Sequence, residues 1–287
     1  MSVTSTHFEQ ACPVCAGAAR HVGLYRKNGF LVGRCEGCGL GATQLGTGFD
    51  PKEIYTAAYF EGGAHDGYAD YPASEAVLRR GFRRTVDELV RLGCKGGKLL
   101  EIGCAYGFFL LEARRRFEVA GIELAPEAAA ACRARGLDVH QGPVDAGFLE
   151  SRAPFDAVVM LDVIEHLEDP AETVRLVASQ LRRAGLLLIT TGDWGSLPSR
   201  LLRSSWRLMT PPQHLFFFTK KTLSRMLADN GFEVVSCRYP WKTVPLDLIL
   251  YQLLRMCRLP NRSIPQLGKL GLPVNLFDAL QLVARKL

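Results

Sequence analysis

No stretch of about 18 uncharged apolar residues occurs in the chain, so no membrane-spanning helix is expected. The first segment, "MSVTSTHFEQ", is polar and has no apolar h-region, which argues against a secretion signal. No internal repeat is visible. The nine cysteines do not make an oxidised framework: four are paired by spacing and five are scattered, of which Cys94, Cys132, Cys237 and Cys257 read as packing residues and Cys104 is the exception, inside the turn of "EIGCAYGFFL" where its thiol could feel a ligand. A reducing, cytoplasmic setting fits these absences. Charge of one sign is also scarce. The net +6 is mild, and the arginines of "LRRGFRRTVDELVR", "EARRRF" and "QLRRAG" read mostly as solvated helix faces. Such a surface could favour an anionic substrate, nucleic acid or a membrane, and selects none of them. With 287 residues, 48% of them hydrophobic, the chain has room for one large domain and a small module.

The small module is bounded by cysteines. "CPVCAG" and "CEGCGL" place Cys12, Cys15, Cys35 and Cys38 as two C-x2-C knuckles separated by 19 residues. Knuckles at the ends of a β-hairpin can bring four thiolates into a tetrahedron around zinc. Four thiolates leave no open coordination position, so a zinc ion there would be structural. Between the knuckles, "GLYRKNGFLVGRC" alternates apolar residues around a turn at Asn28-Gly29. The expected organisation is a zinc ribbon over 1–48, a Tyr/Gly-rich linker or lid over 49–72, and a large domain over 73–287 with a helical insert at 244–272.

In the large domain a helix is expected after Ser74, a candidate N-cap, with Val77, Leu78, Phe82, Val86, Leu89 and Val90 at helical spacing. Strands are then expected at "KLLEIG", "VAGIEL", "DVHQG", "FDAVVML" and "GLLLITT", and helices at 107–117, 126–135 and 170–183. Apolar strands alternating with amphipathic helices predict an α/β fold with a mostly parallel sheet and helices on both faces.

Within that frame "EIGCAYGFFL" sits after the first strand and opens the first helix. Gly103, Ala105 and Gly107 let the backbone approach a ligand at the carboxyl end of the strands. Glu123 ends the second strand, where an acid can accept hydrogen bonds from both hydroxyls of a ribose. A dinucleotide fingerprint needs G-x-G-x-x-G, and "GCAYG" lacks its third glycine in register.

These residues resemble the class I S-adenosylmethionine (SAM) methyltransferases, whose first motif is an acid, one residue, then G-x-G-x-G. Ala105 stands at the middle glycine. The resemblance continues through "FDAVVMLDVIEHLEDP", through "LRRAGLLLITT", where Ala184 replaces the first of two usual glycines, and through "PPQHLFFFTKKTLSRMLADNGFEVV" to "DALQLVARK". It covers residues 73–287. With the knuckles and "YFEGGAHDGYADY", the whole chain is similar to bacterial methyltransferases with an N-terminal zinc ribbon, which often modify sugars, glycoconjugates or secondary metabolites. The resemblance implies a Rossmann-like seven-stranded sheet. It implies that Gly103, Cys104, Ala105, Tyr106 and Gly107 line the methionine part of SAM and that Glu101 fixes that loop or the amino group. It further implies that Glu123 holds the ribose, Leu124 packs on the adenine, Gly142 and Val144 contact its edge, and Asp162 lies beside the sulfonium.

Methyl transfer from a sulfonium is an in-line displacement, so the protein must align the partners, exclude water and remove a proton from a hydroxyl or carbon acceptor. His166 in "EHLEDP" and His214 in "PPQHLFFF" are candidate general bases; bracing of a helix or loop would explain them equally. "DVIEH" also resembles the acid-x-x-Glu-His of some metal-dependent quinone and RNA-end methyltransferases, which would give Asp162, Glu165 and His166 a divalent ion to hold. Tyr55, Tyr59, Tyr68 and Tyr71 could form a lid over the sulfonium or pack a linker. Phe216, Phe217 and Phe218 read as core and pocket wall. The leading expectation is methyl transfer to a small-molecule or glycosidic acceptor, by O- or C-methylation. An RNA methyltransferase and a non-catalytic SAM-binding partner protein are the alternatives, and nucleic acid is disfavoured because the ribbon offers little stacking surface beyond Tyr25, Arg26 and Phe30. Finally, "VPLDLILYQLLRMCRL" (244–259) is expected to be an unusually apolar helix that caps the core or meets a second subunit or a membrane.

Overall fold

A computed structural model of the chain describes residues 6–46, 71–247, 249–250, 254 and 269–287. Tyr55, Tyr59, Tyr68, Cys257 and most of 244–259 lie outside the described residues. The N-terminal strands are β1 (His7–Cys12), β2 (Gly17–Lys27), β3 (Phe30–Cys35) and β4 (Gly41–Thr43). Next come α1 (Glu75–Arg91), β5 (Gly97–Ile102), α2 (Phe108–Ala113), β6 (Phe117–Glu123), α3 (Pro126–Ala134), β7 (Asp138–Gln141), α4 (Ala146–Arg152) and β8 (Phe155–Leu161). The chain continues with α5 (Pro170–Gln180), β9 (Leu181–Gly192), α6 (Leu197–Leu202), β10 (Phe216–Phe217), α7 (Lys220–Asp229), β11 (Phe232–Arg238), β12 (Lys242–Pro245), β13 (Gly271–Val274) and β14 (Ala279–Lys286).

The main sheet has seven strands in the order β11-β14-β9-β8-β5-β6-β7, as expected for the Rossmann-like α/β fold. Strand order reverses at β5, and open α/β sheets bind ligands outside the carboxyl ends of their strands at such a switch point. The chain divides into two compact units, one bounded by Glu53–Val159 with Trp241–Asn275, the other by Met1–Lys52 with Met160–Pro240 and Leu276–Leu287.

In the first unit β5, β6 and β7 run parallel, with Ile102 opposite Ile122 and Ile122 opposite His140. Leu99, Leu100, Ile102, Ile122, Val158 and Val159 are buried without alternation, as strands covered on both faces require. Helix α1 packs on α2 through Glu112, which accepts from Arg79 Nε at 2.6 Å and Arg83 Nε at 2.8 Å. Burial alone would raise the Glu112 pKa, and the two guanidiniums hold it below the ordinary range instead. Ser74 precedes α1, but its side chain makes no capping hydrogen bond. The helix expected from 244 begins later. Val244 and Pro245 belong to β12, which pairs with β13 from Lys242↔Val274 to Pro245↔Gly271, so the outer residues of the expected insert are a two-stranded ribbon. Leu246, Asp247, Ile249, Leu250 and Leu254 are helical.

The second unit contains two antiparallel arrangements. Strand β14 lies between β9 and β11 and runs antiparallel to both. The N-terminal strands form a five-stranded sheet in the order β1-β2-β3-β4-β10, whose last strand comes from the distant "PPQHLFFF" segment. Asn28 and Gly29, both at positive φ (52° and 84°), make the two-residue turn that joins Lys27 to Phe30.

Two expected helices are shorter than their patterns. Helix α2 ends at Ala113 rather than 117 because Phe117 already pairs in β6, and α5 ends at Gln180 because Leu181 starts β9. Inside β9, Ala184 has φ 61°. Left-handed backbone places an L-residue's Cβ against its own carbonyl at a cost of about 1–2 kcal/mol. Glycine adopts that conformation without the cost. Ala184→Gly is expected to raise stability by about 0.5–1 kcal/mol in denaturant unfolding, since relief of the strain outweighs the added freedom of the unfolded chain.

Candidate active site

Two groups of side chains, one in each unit, carry the chemistry. In the first unit the turn after β5 folds as Gly103 (φ 73°), Ala105 (φ 46°) and Gly107 (φ 73°), so all three small residues occupy left-handed backbone. A Cβ on Gly107 would lie 2.5 Å from Leu137 Cδ1 and 2.9 Å from Cys132 Sγ, which leaves no room for a side chain. Gly103 N and Cys104 N both donate to Ile122 O, at 2.8 and 3.1 Å. Glu123 closes the turn: its Oε2 accepts from Ala105 N at 2.7 Å and its Oε1 from Ala125 N at 2.8 Å. With the Leu124 N–H also directed at it, the carboxylate has three of its four lone-pair sites engaged and one left for a hydroxyl donor. Burial raises the pKa of Glu123, opposed by the N–H groups of Ala125, Ala105 and Leu124.

Glu101 is fully enclosed. Burial, reinforced by Cys132 and Glu123, pushes its pKa well above the usual carboxyl range, and its Oε2 has no hydrogen-bond partner. A buried carboxyl with an open oxygen beside a second carboxylate fits a cationic ligand group, such as the ammonium of a methionine moiety. Around this turn, Tyr71 stacks on Phe108 (centroids 5.3 Å apart, 2° between planes) and lies 6.1 Å from Tyr106. Tyr71 is thus a packing residue. Leu124, Gly142 and Val144 are half-buried, and Gly142 N donates to Glu123 O at 2.9 Å. Cys104 is buried; its sulfur lies where a Cβ on Gly121 would fall, at 2.8 Å.

In the second unit Asp162 follows β8 with φ 56° and is held there by Thr190. Asp162 N donates to Thr190 Oγ1 at 3.0 Å, and that hydroxyl donates to Asp162 Oδ1 at 3.0 Å. A short 3-10 turn, Ile164–His166, then presents Glu165 and His166. The His166 and His214 rings meet edge to face with centroids 4.7 Å apart. Donor atoms of Glu165, His166 and His214 all lie within 4.8 Å of one another. His166 Nδ1 bonds the Gln213 carbonyl at 2.8 Å, which leaves Nε2 as the nitrogen with a lone pair to offer. Burial lowers the pKa of both imidazoles, His214 the further because His166 stands beside it. Both are therefore neutral near pH 7, the form that accepts a proton or ligates a metal. Three donors suit a divalent cation with open positions. His214 joins Glu165 and His166 from a separate stretch of chain, which "DVIEH" alone could not reveal.

The segment that carries His214 is bound to the cysteine module. Asn28 Nδ2 donates to Pro211 O at 2.8 Å, Thr43 Oγ1 to His214 O at 2.7 Å, and Thr43 N to Leu215 O at 2.9 Å. Phe216 and Phe217 pair with Ala42 and Gly41, and Phe217 packs with Val32, Trp206 and Met209. Phe216, Phe217 and Phe218 are all buried, as expected. Thr43, Thr190 and Gln213 carried no sequence signal; a hydroxyl that braces a distant carbonyl looks like any other threonine until the chain folds. In the module itself, Cys12 Sγ lies 3.5 Å from Cys38 Sγ and Cys15 Sγ 3.8 Å from Cys35 Sγ. Four sulfurs at ~2.3 Å from one zinc ion would stand roughly 3.8 Å apart, so the cluster fits the metal. Burial pushes the Cys12 thiol up to about 11 and raises Cys38 further, a cost that a dication would offset.

Residues 76–237 match the model of a family described as a methyltransferase domain. The chain belongs to this family. Over 109 residues it is 34% identical to the ubiquinone biosynthesis O-methyltransferase of Xylella fastidiosa (strain 9a5c), covering 35% of this chain and 44% of that protein. The namesake protein of Caulobacter vibrioides is 35% identical over 112 residues, covering 37% and 44%. The methyltransferase thus spans less than half the length of these relatives. A SAM-dependent methyltransferase from Archaeoglobus fulgidus shares the fold, with a TM-score of 0.50 at 20% identity over 72% of this chain and 94% of the other. So does a chain of the complex between the Haloferax volcanii Trm112 methyltransferase activator and a methyltransferase, with a TM-score of 0.51 at 15% identity over 74% and 93%.

Glu123→Ala leaves the Ala105 and Ala125 amides without their acceptors. Both amide protons should exchange about 10- to 100-fold faster, as lost charge-assisted bonds of roughly 1.5–3 kcal/mol imply. Hydrogen exchange read by NMR checks this.

Proposed function

We propose that this methyltransferase moves the SAM methyl group onto a hydroxyl oxygen of a small-molecule or glycosidic acceptor, in glycan or secondary-metabolite biosynthesis. The observation that carries the reading is the pair of neutral imidazoles, His166 and His214, 4.7 Å apart beside Glu165. A hydroxyl acceptor is a poor nucleophile until its proton leaves, and a neutral imidazole takes that proton. As the acceptor oxygen bonds to the methyl carbon, the carbon–sulfur bond breaks and its electron pair stays on sulfur as the thioether of S-adenosylhomocysteine; the acceptor proton passes to imidazole. The name O-methyltransferase borne by the relatives supports oxygen as the acceptor atom.

In this reading Glu101 receives the methionine ammonium of SAM, Gly103 to Gly107 line its methionine half, and Glu123 takes the ribose hydroxyls. Leu124, Gly142 and Val144 border the adenine. A divalent ion on Glu165, His166 and His214 would add Lewis-acid polarisation of the acceptor oxygen. Glu101→Gln and Glu123→Ala should each weaken SAM binding by about 30- to 150-fold in calorimetry, equivalent to ~2–3 kcal/mol. Unchanged affinity in both variants rejects the assignment. Mn2+ followed by electron paramagnetic resonance should bind the native chain and not His214→Ala, while SAM affinity stays the same in both.

A structural zinc on Cys12, Cys15, Cys35 and Cys38 completes the proposal. Protein purified without chelator should contain one zinc per chain. Cys15→Ser should lose it and unfold the β2–β3 hairpin, seen as lost amide protection in that module. A zinc-free native protein with an intact hairpin contradicts the proposal.

A further inference from the structure

Helix α6 presents an apolar, cationic face that the methyltransferase chemistry does not use. Leu197, Leu201 and Leu202 are 67%, 72% and 52% exposed. Leu197, Arg200 and Leu201 fall at i, i+3 and i+4 and share one side of the helix, with Leu202 and Arg203 at its end. Arg200 and Arg203 are exposed as well. Over residues 194–219 there are three arginines and no acidic residue. One of the three, Arg207, is neutralised by Asp278, which it meets at 2.7 and 2.9 Å. Arg200 and Arg203 make no ion pair among the described residues.

The leucines are held outward by anchoring on both sides. Ser196 caps the helix through Ser199 N at 3.3 Å, and Ser199 Oγ donates inward to Trp194 O at 3.0 Å. Just beyond α6, Trp206 Nε1 donates to buried Asp278 at 3.0 Å. The polar side of this short helix is thus committed to the fold and the leucine side is left facing water, where a soluble surface gains nothing from three neighbouring leucines.

We propose that the α6 face docks on an anionic lipid surface, with the leucines in the acyl boundary and Arg200 and Arg203 among the headgroup phosphates. Apolar residues flanked by arginine are what interfacial helices use, because the two contributions act at adjacent depths. A second copy of the chain is disfavoured by charge: a two-fold contact through this patch would set Arg200 and Arg203 against their own copies. Nucleic acid would use the arginines and leave the leucines wet, since aliphatic side chains offer no stacking platform. The attachment is peripheral, for among the described residues no helix is long and apolar enough to cross a membrane. The inference is independent of the acceptor, although a lipid-linked acceptor would profit from it.

The test is co-sedimentation of the full chain with vesicles of phosphatidylcholine, with and without phosphatidylglycerol. Binding should appear with phosphatidylglycerol, weaken as salt is raised, and fall about fivefold for each of Arg200→Ser and Arg203→Ser. Leu201→Glu should lower it by tenfold or more. Leu201 is exposed, so this variant should fold, and unchanged SAM affinity shows that it has. Three outcomes overturn the proposal: no sedimentation with either vesicle, equal sedimentation with both, or binding that Leu201→Glu leaves intact. A lipid-free dimer abolished by Leu201→Glu overturns it too, by assigning the face to a second copy.

Discussion

The carboxyl group of Glu123 is the constraint around which the turn after β5 is arranged. Three left-handed small residues at alternate positions would not hold a turn by themselves, because the conformations they allow are many. Glu123 selects one by accepting from Ala105 N and Ala125 N, and so ties the turn after β5 to the start of α3. The bond needs a carboxylate at the end of β6 in register with β5, which the pairing of Ile102 with Ile122 provides. The same acid thus fixes both the loop and the entry to α3. Glu101, buried nearby, keeps one carboxyl oxygen without a hydrogen-bond partner.

On the other unit the cysteine module acts as a structural part of the site segment rather than an appended bead. Its fourth strand supplies an edge to which β10 adds, and Thr43 bonds the carbonyl of His214 with its hydroxyl and that of Leu215 with its amide. A loop such as 209–218 has few local hydrogen bonds to define it. Borrowing a sheet edge and a buried hydroxyl fixes it at little entropic cost, since β3 and β4 are already ordered by the knuckles. The order of the four-cysteine module therefore has consequences for an imidazole far away in sequence.

The electrostatics of the two groups are opposite and complementary to their tasks. Burial keeps His166 and His214 neutral, suited to proton acceptance or metal ligation. Burial raises Glu101 and Glu123, which favours their protonated forms until donors or a positive charge offset the desolvation. In both cases desolvation is the largest influence, so water exclusion and not any single ion pair sets the protonation states.

Much of this was legible in the residues themselves. Alternating apolar strands and helices dictated the α/β sheet, because each strand buried on both faces must be continuously apolar. The pattern of Gly103, Ala105 and Gly107 marked the tight turn after β5, and Ala105 and Ala184 both occupy backbone where glycine is cheaper. The C-x2-C spacing marked the four-sulfur cluster, since the spacing is a property of the knuckle itself. Long-range partnership was not legible. That His214 meets His166, that Thr43 braces it, that Thr190 holds Asp162 and that Pro245 ends a strand instead of starting a helix are decided by contacts between segments far apart in sequence. Local propensity carries no information about which distant edge a strand will find, and only tertiary packing, which buries one carbonyl and satisfies another, makes that choice.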